Sequence, residues 1–88
     1  MITTKELWLS APEGQMDDVI KKIIQEKWDD EPTAIQILEA VDHCVYYGAS
    51  SDFVVAALNT MLQTAMKEEG LEYLEFIKDA KWRKEHHG

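Results

Sequence analysis

The sequence predicts an all-α fold. The expected form is a compact bundle of four main helices, over about residues 11–29, 33–47, 51–69 and 71–84, preceded by a short N-terminal segment that is helical or extended. Three observations predict it. Apolar residues recur three and four positions apart, the spacing of one helix face, and do not alternate as they do in a half-buried strand. Proline and glycine number only two and four in 88 residues, which favours long regular elements over a turn-rich β fold. The breaks between apolar stretches carry helix-end chemistry, with Ser, Thr or Asp ahead of a stretch and Gly behind it. The length predicts one domain over residues 1–88. A chain of this size buries roughly 60% of the surface its unfolded form exposes, so the core is small.

The elements follow in order. Thr3-Thr4-Lys5-Glu6 has the form of a capping box, so residues 4–9 are a short helix, with a strand as the rival. Ser10-Ala11-Pro12-Glu13 is a second box-like start, although Gly14 would then lie inside the helix at about 1 kcal/mol. From there Met16, Val19, Ile20, Ile23, Ile24 and Trp28 form one apolar stripe, and acids lead while Lys27 closes, as the helix dipole favours. Asp29-Asp30-Glu31-Pro32 breaks the chain, and Thr33 with Gln36 restarts it. Gly48 suits the left-handed residue that ends the third helix.

Ser50 or Ser51 caps the fourth helix. Phe53 to Leu58 is apolar almost all round, which predicts a covered, central helix, and Gly70 ends it. In the fifth, Tyr73, Leu74, Phe76, Ile77 and Ala80 are expected to face inward, with Lys81, Arg83 and Lys84 at the end the dipole favours. Trp82, mostly off that face, is expected to act as a lid on the bundle, with an exposed anchor as the alternative.

Charge narrows the function. Nine Lys and Arg against 17 Asp and Glu give a formal net charge of −8, which repels nucleic acid and anionic lipid and favours basic partners. From Trp28 to Met66 there is no Lys or Arg at all. The lone cysteine, Cys44, excludes an intramolecular disulfide, and its place on an apolar stripe beside Val41 and Val45 makes it a core filler. No apolar run is long enough to span a bilayer, and the opening MITTKELWLS lacks the apolar region of a secretory signal, so a cytoplasmic protein is expected.

The stretch YYGASSDF, residues 46–53, admits three readings. Gly48-Ala49-Ser50-Ser51-Asp52 resembles the prosthetic-serine motif of acyl carrier proteins, which would make Ser51 the attachment point of an arm. Those proteins place an apolar residue after the serine, and this chain has Asp52. Cys44, Gly48 and Val54 have the spacing of a helix-turn-helix, the DNA-binding alternative, but Ser-Ser-Asp-Phe supplies no cation for phosphate. The third reading is a glycine turn between two packed helices, with a serine cap.

No catalytic, cofactor or metal site is expected. Glu39 and His43 have metal-ligand spacing but supply only two ligands. Asp29-Asp30 and Glu68-Glu69 are carboxylate pairs at helix ends with no reason for their pKa values to split. What remains is one helix face. Glu39, Asp42, His43 and Tyr46 form an acidic, aromatic-bearing outer surface on the third helix, while Tyr47, on the stripe of Ile37, Ala40 and Cys44, closes the core. A paired tyrosine near acids, in a short acidic helical chain, resembles colicin-type immunity proteins in size, charge and that pair alone. The expected function is therefore a small acidic interaction protein, an inhibitor or adaptor, that docks on a basic protein surface through Glu39, Asp42, His43 and Tyr46. It is not an enzyme. A homodimer, covering Phe53, Val55 or Trp82, is the other expected association.

Overall fold

Among the described residues five helices form, and side-chain caps start the first four. The computed structural model describes residues 1–11, 14–48 and 51–86, with side chains as far as Lys81. In chain order the helices are α1 (Thr4–Leu9), α2 (Asp18–Lys27), α3 (Ala34–Tyr47), α4 (Asp52–Glu68) and α5 (Tyr73–His86). No strand occurs among the described residues, so the fold is all-α and the N-terminal segment is helical.

Caps explain the boundaries. The Thr3 hydroxyl accepts from the Glu6 N–H at 3.1 Å. Gln36 Oε1 accepts from the Thr33 N–H at 2.9 Å, the half of a capping box that reaches back to the N-cap residue. Ser51 Oγ accepts from the Val54 N–H at 3.3 Å, and Ser50, the other serine considered for this cap, lies outside the described residues. Gly48 takes the left-handed conformation, φ 60° and ψ 33°, at the end of α3. At the end of α4, Gly70 donates to the Lys67 carbonyl and Leu71 to the Met66 carbonyl. Those two bonds make a Schellman turn, and they satisfy carbonyls the helix leaves unpaired.

The second helix departs from expectation. It starts at Asp18, not near residue 11, because the Asp17 carboxylate accepts from the Val19 N–H at 2.7 Å and is the true N-cap. Ser10 ends α1 instead, its N–H donating to the Glu6 carbonyl. Gly14 sits at φ 90°, which a right-handed helix forbids. Pro12 and Glu13, the rest of that expected start, lie outside the described residues.

The core is one continuous cluster, and Ile20, Ile24, Ile37, Cys44 and Leu58 are its largest fully buried side chains. Helices α3 and α4 form an antiparallel hairpin. They are joined through Gly48 at one end, and at the other a Glu69 carboxylate oxygen accepts from the Ala34 N–H at 2.8 Å. Helix α1 is fastened to the loop after α2. Lys5 donates its backbone N–H to the Asp30 carbonyl and its Nζ to the Trp28 carbonyl, while Thr4 donates twice to the Glu31 carboxylate. Trp8 packs edge-on against Trp28, ring centroids 6.5 Å apart. The Cα radius of gyration is 12.8 Å, against about 12 Å for a compact chain of this length.

Several side chains expected inside are outside. Val19, Val45, Tyr47, Tyr73 and Leu74 are all at least half exposed, and Phe53 is 74% exposed. The cause is common to all six. A bundle this small has one layer of neighbours, so each helix is covered on one side only, and apolar residues beyond that side meet solvent. Helix α4 shows it best. Val54, Leu58, Leu62 and Met66 line its buried side, while Phe53 and Ala56 point away. Among the described side chains of α5 only Phe76 is buried, with Ile77 and Ala80 partly so. The side chain of Trp82 lies outside the described residues.

Candidate functional site

The exposed side of α3 forms one wall of an open groove. Helix periodicity puts Ile35, Leu38, Glu39, Asp42, His43 and Tyr46 along one side of α3. Ile23 and Lys27 of α2 and Ala80 of α5 complete the groove with Tyr47, enclosing about 910 Å³. The only lining residue α5 contributes among those described is a small one, Ala80. The floor is apolar: Leu38 is buried, and Ile23, Ile35 and Ala80 are partly buried. The rim is polar, with Glu39 and Asp42 exposed and His43 half-buried.

The four residues singled out from the sequence, Glu39, Asp42, His43 and Tyr46, therefore all line one concavity. Tyr47 joins them and does not close the core, since it is 67% exposed. Its ring lies 4.8 Å from that of Tyr46, centroid to centroid, with the planes at 70°. On its other side the His43 ring lies 4.5 Å away, tilted by 39°. The three rings make an aromatic corner at the C-terminal end of α3. At the opposite end Gln36 Nε2 donates to the Lys27 carbonyl at 2.8 Å, which pins Lys27 beside the first turn of α3. Lys27 is the one cation among the described residues that line the groove. The groove thus has a cationic end and, about 15 Å along α3, an aromatic and acidic end. Ile23, Lys27 and Ala80 were not legible as site residues, because only the approach of three helices puts them there.

A second concavity of about 750 Å³ lies between α1 and α4, with Leu7, Trp8, Phe53 and Met61 in its walls and Glu31 and Glu68 among its polar residues. Other residues weighed from the sequence have structural positions. Cys44 is buried with a free thiol, as a core filler should be. Ser51 is engaged in its cap and is followed by exposed Asp52. Asp29, Asp30, Glu68 and Glu69 are all exposed, and Glu69 binds the start of α3. Among the described residues no three His, Cys, Asp or Glu side chains gather in a way that could hold a metal ion. None of the described helices is long and apolar enough to cross a membrane. Lys78 and Lys81 are exposed on α5 and do not line the groove; the side chains of Arg83 and Lys84 lie outside the described residues.

The Glu31 carboxyl lies below its ordinary value of 4.5. The hydrogen bond from the Thr4 hydroxyl is the main cause, the Thr4 N–H adds to it, and desolvation opposes both. No family model, no curated protein and no solved structure matches this chain.

Proposed function

We propose that this chain is a protein-binding module whose α2–α3–α5 groove receives an amphipathic, positively charged segment of a partner protein. The observation that carries the reading is the composition of the groove: an apolar floor of Leu38, Ile35, Ile23 and Ala80 beneath a rim that holds Glu39, Asp42 and two exposed tyrosines. Apolar area at the centre supplies affinity, and a charged rim selects the partner and speeds encounter. Large aromatics among carboxylates are the residue types that dominate binding energy in interfaces. A net charge of −8 carries the same preference over the whole molecule.

The hairpin of α3 and α4 weighs against DNA binding through that pair. Helices of 14 and 17 residues crossing at the angles of a helix-turn-helix would hold their far ends more than ~20 Å apart. Here those ends share a 2.8 Å hydrogen bond between Ala34 and Glu69.

The test is affinity capture from the native host followed by binding of the identified partner as a pure protein. Tyr46→Ala and Asp42→Lys change exposed positions, and far-UV circular dichroism of each variant checks that the fold is kept before binding is compared. The reading expects each to weaken the purified complex by about tenfold or more. Unchanged affinity in both variants discards the groove as the docking surface.

A further inference from the structure

The groove's occupant is narrowed further by the arrangement of its aromatic end, an argument that rests on the protein-binding reading above. We infer that the anchor of the partner segment is a single arginine side chain, stacked at the Tyr46–Tyr47 corner and paired with Glu39 and Asp42, in preference to lysine. Three features point to a guanidinium. Tyr46 and Tyr47 are 79% and 67% exposed, so the corner they form meets solvent, and Tyr46, which has no ring contact with His43, is the more open of the two. Their planes meet at 70°, so a flat group stacked on one ring presents its edge to the other. A guanidinium is flat, weakly hydrated and stacks on aromatic faces, whereas an ammonium is a compact, strongly hydrated point charge.

Charge gives the direction. Glu39 and Asp42 precede the tyrosines by one to two turns on the same side of α3, within reach of a side chain seated at the corner. Carboxylates accept the fork of donors that an arginine offers, two bonds at a time. The methylene stem of the arginine would run over Leu38, the buried part of the floor. Lys27, held beside the first turn of α3 by Gln36, opposes a cation at the far end. The asymmetry therefore singles out the aromatic end as the seat of the cation, and the far end as the seat of neutral or acidic residues.

The test uses the intact chain and three amphipathic helical peptides with acetylated and amidated ends. They differ at one central position on the apolar face's edge, which is arginine, lysine or citrulline. Binding is followed by isothermal calorimetry and by NMR shifts of the tyrosine rings. The arginine peptide is expected to bind with shifts at Tyr46 and Tyr47, the lysine peptide about 5- to 30-fold more weakly, and the uncharged citrulline peptide more weakly than the arginine one. Tyr46→Phe is expected to keep the preference for arginine, since the ring remains, and Tyr46→Leu to lose it. Equal affinity for arginine and lysine, or a preference that survives Tyr46→Leu, overturns the arginine anchor while leaving a protein-binding groove. Absence of binding by all three peptides, or shifts confined to other surfaces, overturns the anchor and the groove reading together.

Discussion

Leu58 and Phe53 lie five residues apart on one helix, and the structure assigns them opposite energetic roles. Leu58 is 0% exposed and Phe53 is 74% exposed. Truncating Leu58 to alanine removes buried methyl groups and leaves a cavity where α4 packs against the core. Substitutions of this kind cost about 2.7–5.0 kcal/mol, more when the surroundings are rigid. A chain of this length has about 4–13 kcal/mol of stability in total. Leu58→Ala should therefore remove about 3 kcal/mol, a large share, and lower Tm by roughly 12–24 °C.

Phe53→Ala deletes a larger side chain yet should change stability by about 0.5 kcal/mol or less, because little of the ring leaves water on folding and alanine is the better helix former. Urea unfolding followed by far-UV circular dichroism measures both, and an unchanged m-value shows that the same transition is being compared. The reasoning fails if Phe53→Ala destabilises as much as Leu58→Ala, or if Leu58→Ala costs less than about 1 kcal/mol. Either result would mean that the covered side of α4 has been misassigned.

Two further predictions concern local chemistry. The Glu31 carboxyl is depressed in the folded chain, so the stability it contributes is present above pH 4.5 and fades as the pH falls through the lower folded value. Carboxyl-detected NMR should show Thr4→Val moving the Glu31 titration up towards 4.5, and a titration that does not move would show that the Thr4 hydroxyl is not the cause. Gly48 sits at φ 60° with nothing within 4 Å of a Cβ placed there. Gly48→Ala should then destabilise by about 1 kcal/mol through backbone strain alone, and Gly48→Asn by less, in the same urea assay.

Much of the fold was legible because its signals are local. Thr3, Gln36 with Thr33, Ser51, Gly48 and Gly70 act within about four residues of themselves, on backbone groups that every helix end leaves unpaired. The start of α2 was misread where two local signals competed. Ser10 and Asp17 are both good caps, and the left-handed Gly14 between them decides in favour of Asp17. The acidic and aromatic side of α3 was legible for the same local reason, since Glu39, Asp42, His43 and Tyr46 follow from helix periodicity alone.

The amino-acid order by itself determined which segments are helices, most of their ends and which residues share a side, because hydrogen bonds three and four residues apart set these. Only the tertiary structure decided which apolar sides are covered. Phe53, Tyr47 and Leu74 match core residues in type and spacing but stay mostly exposed, and a hydrophobic side chain is buried only when a second surface covers it. It also decided that the marked side of α3 faces a groove, since Ile23 and Lys27 of α2 and Ala80 of α5 come to line it together with α3. That meeting of elements remote in sequence is a matter of packing, which no local pattern encodes.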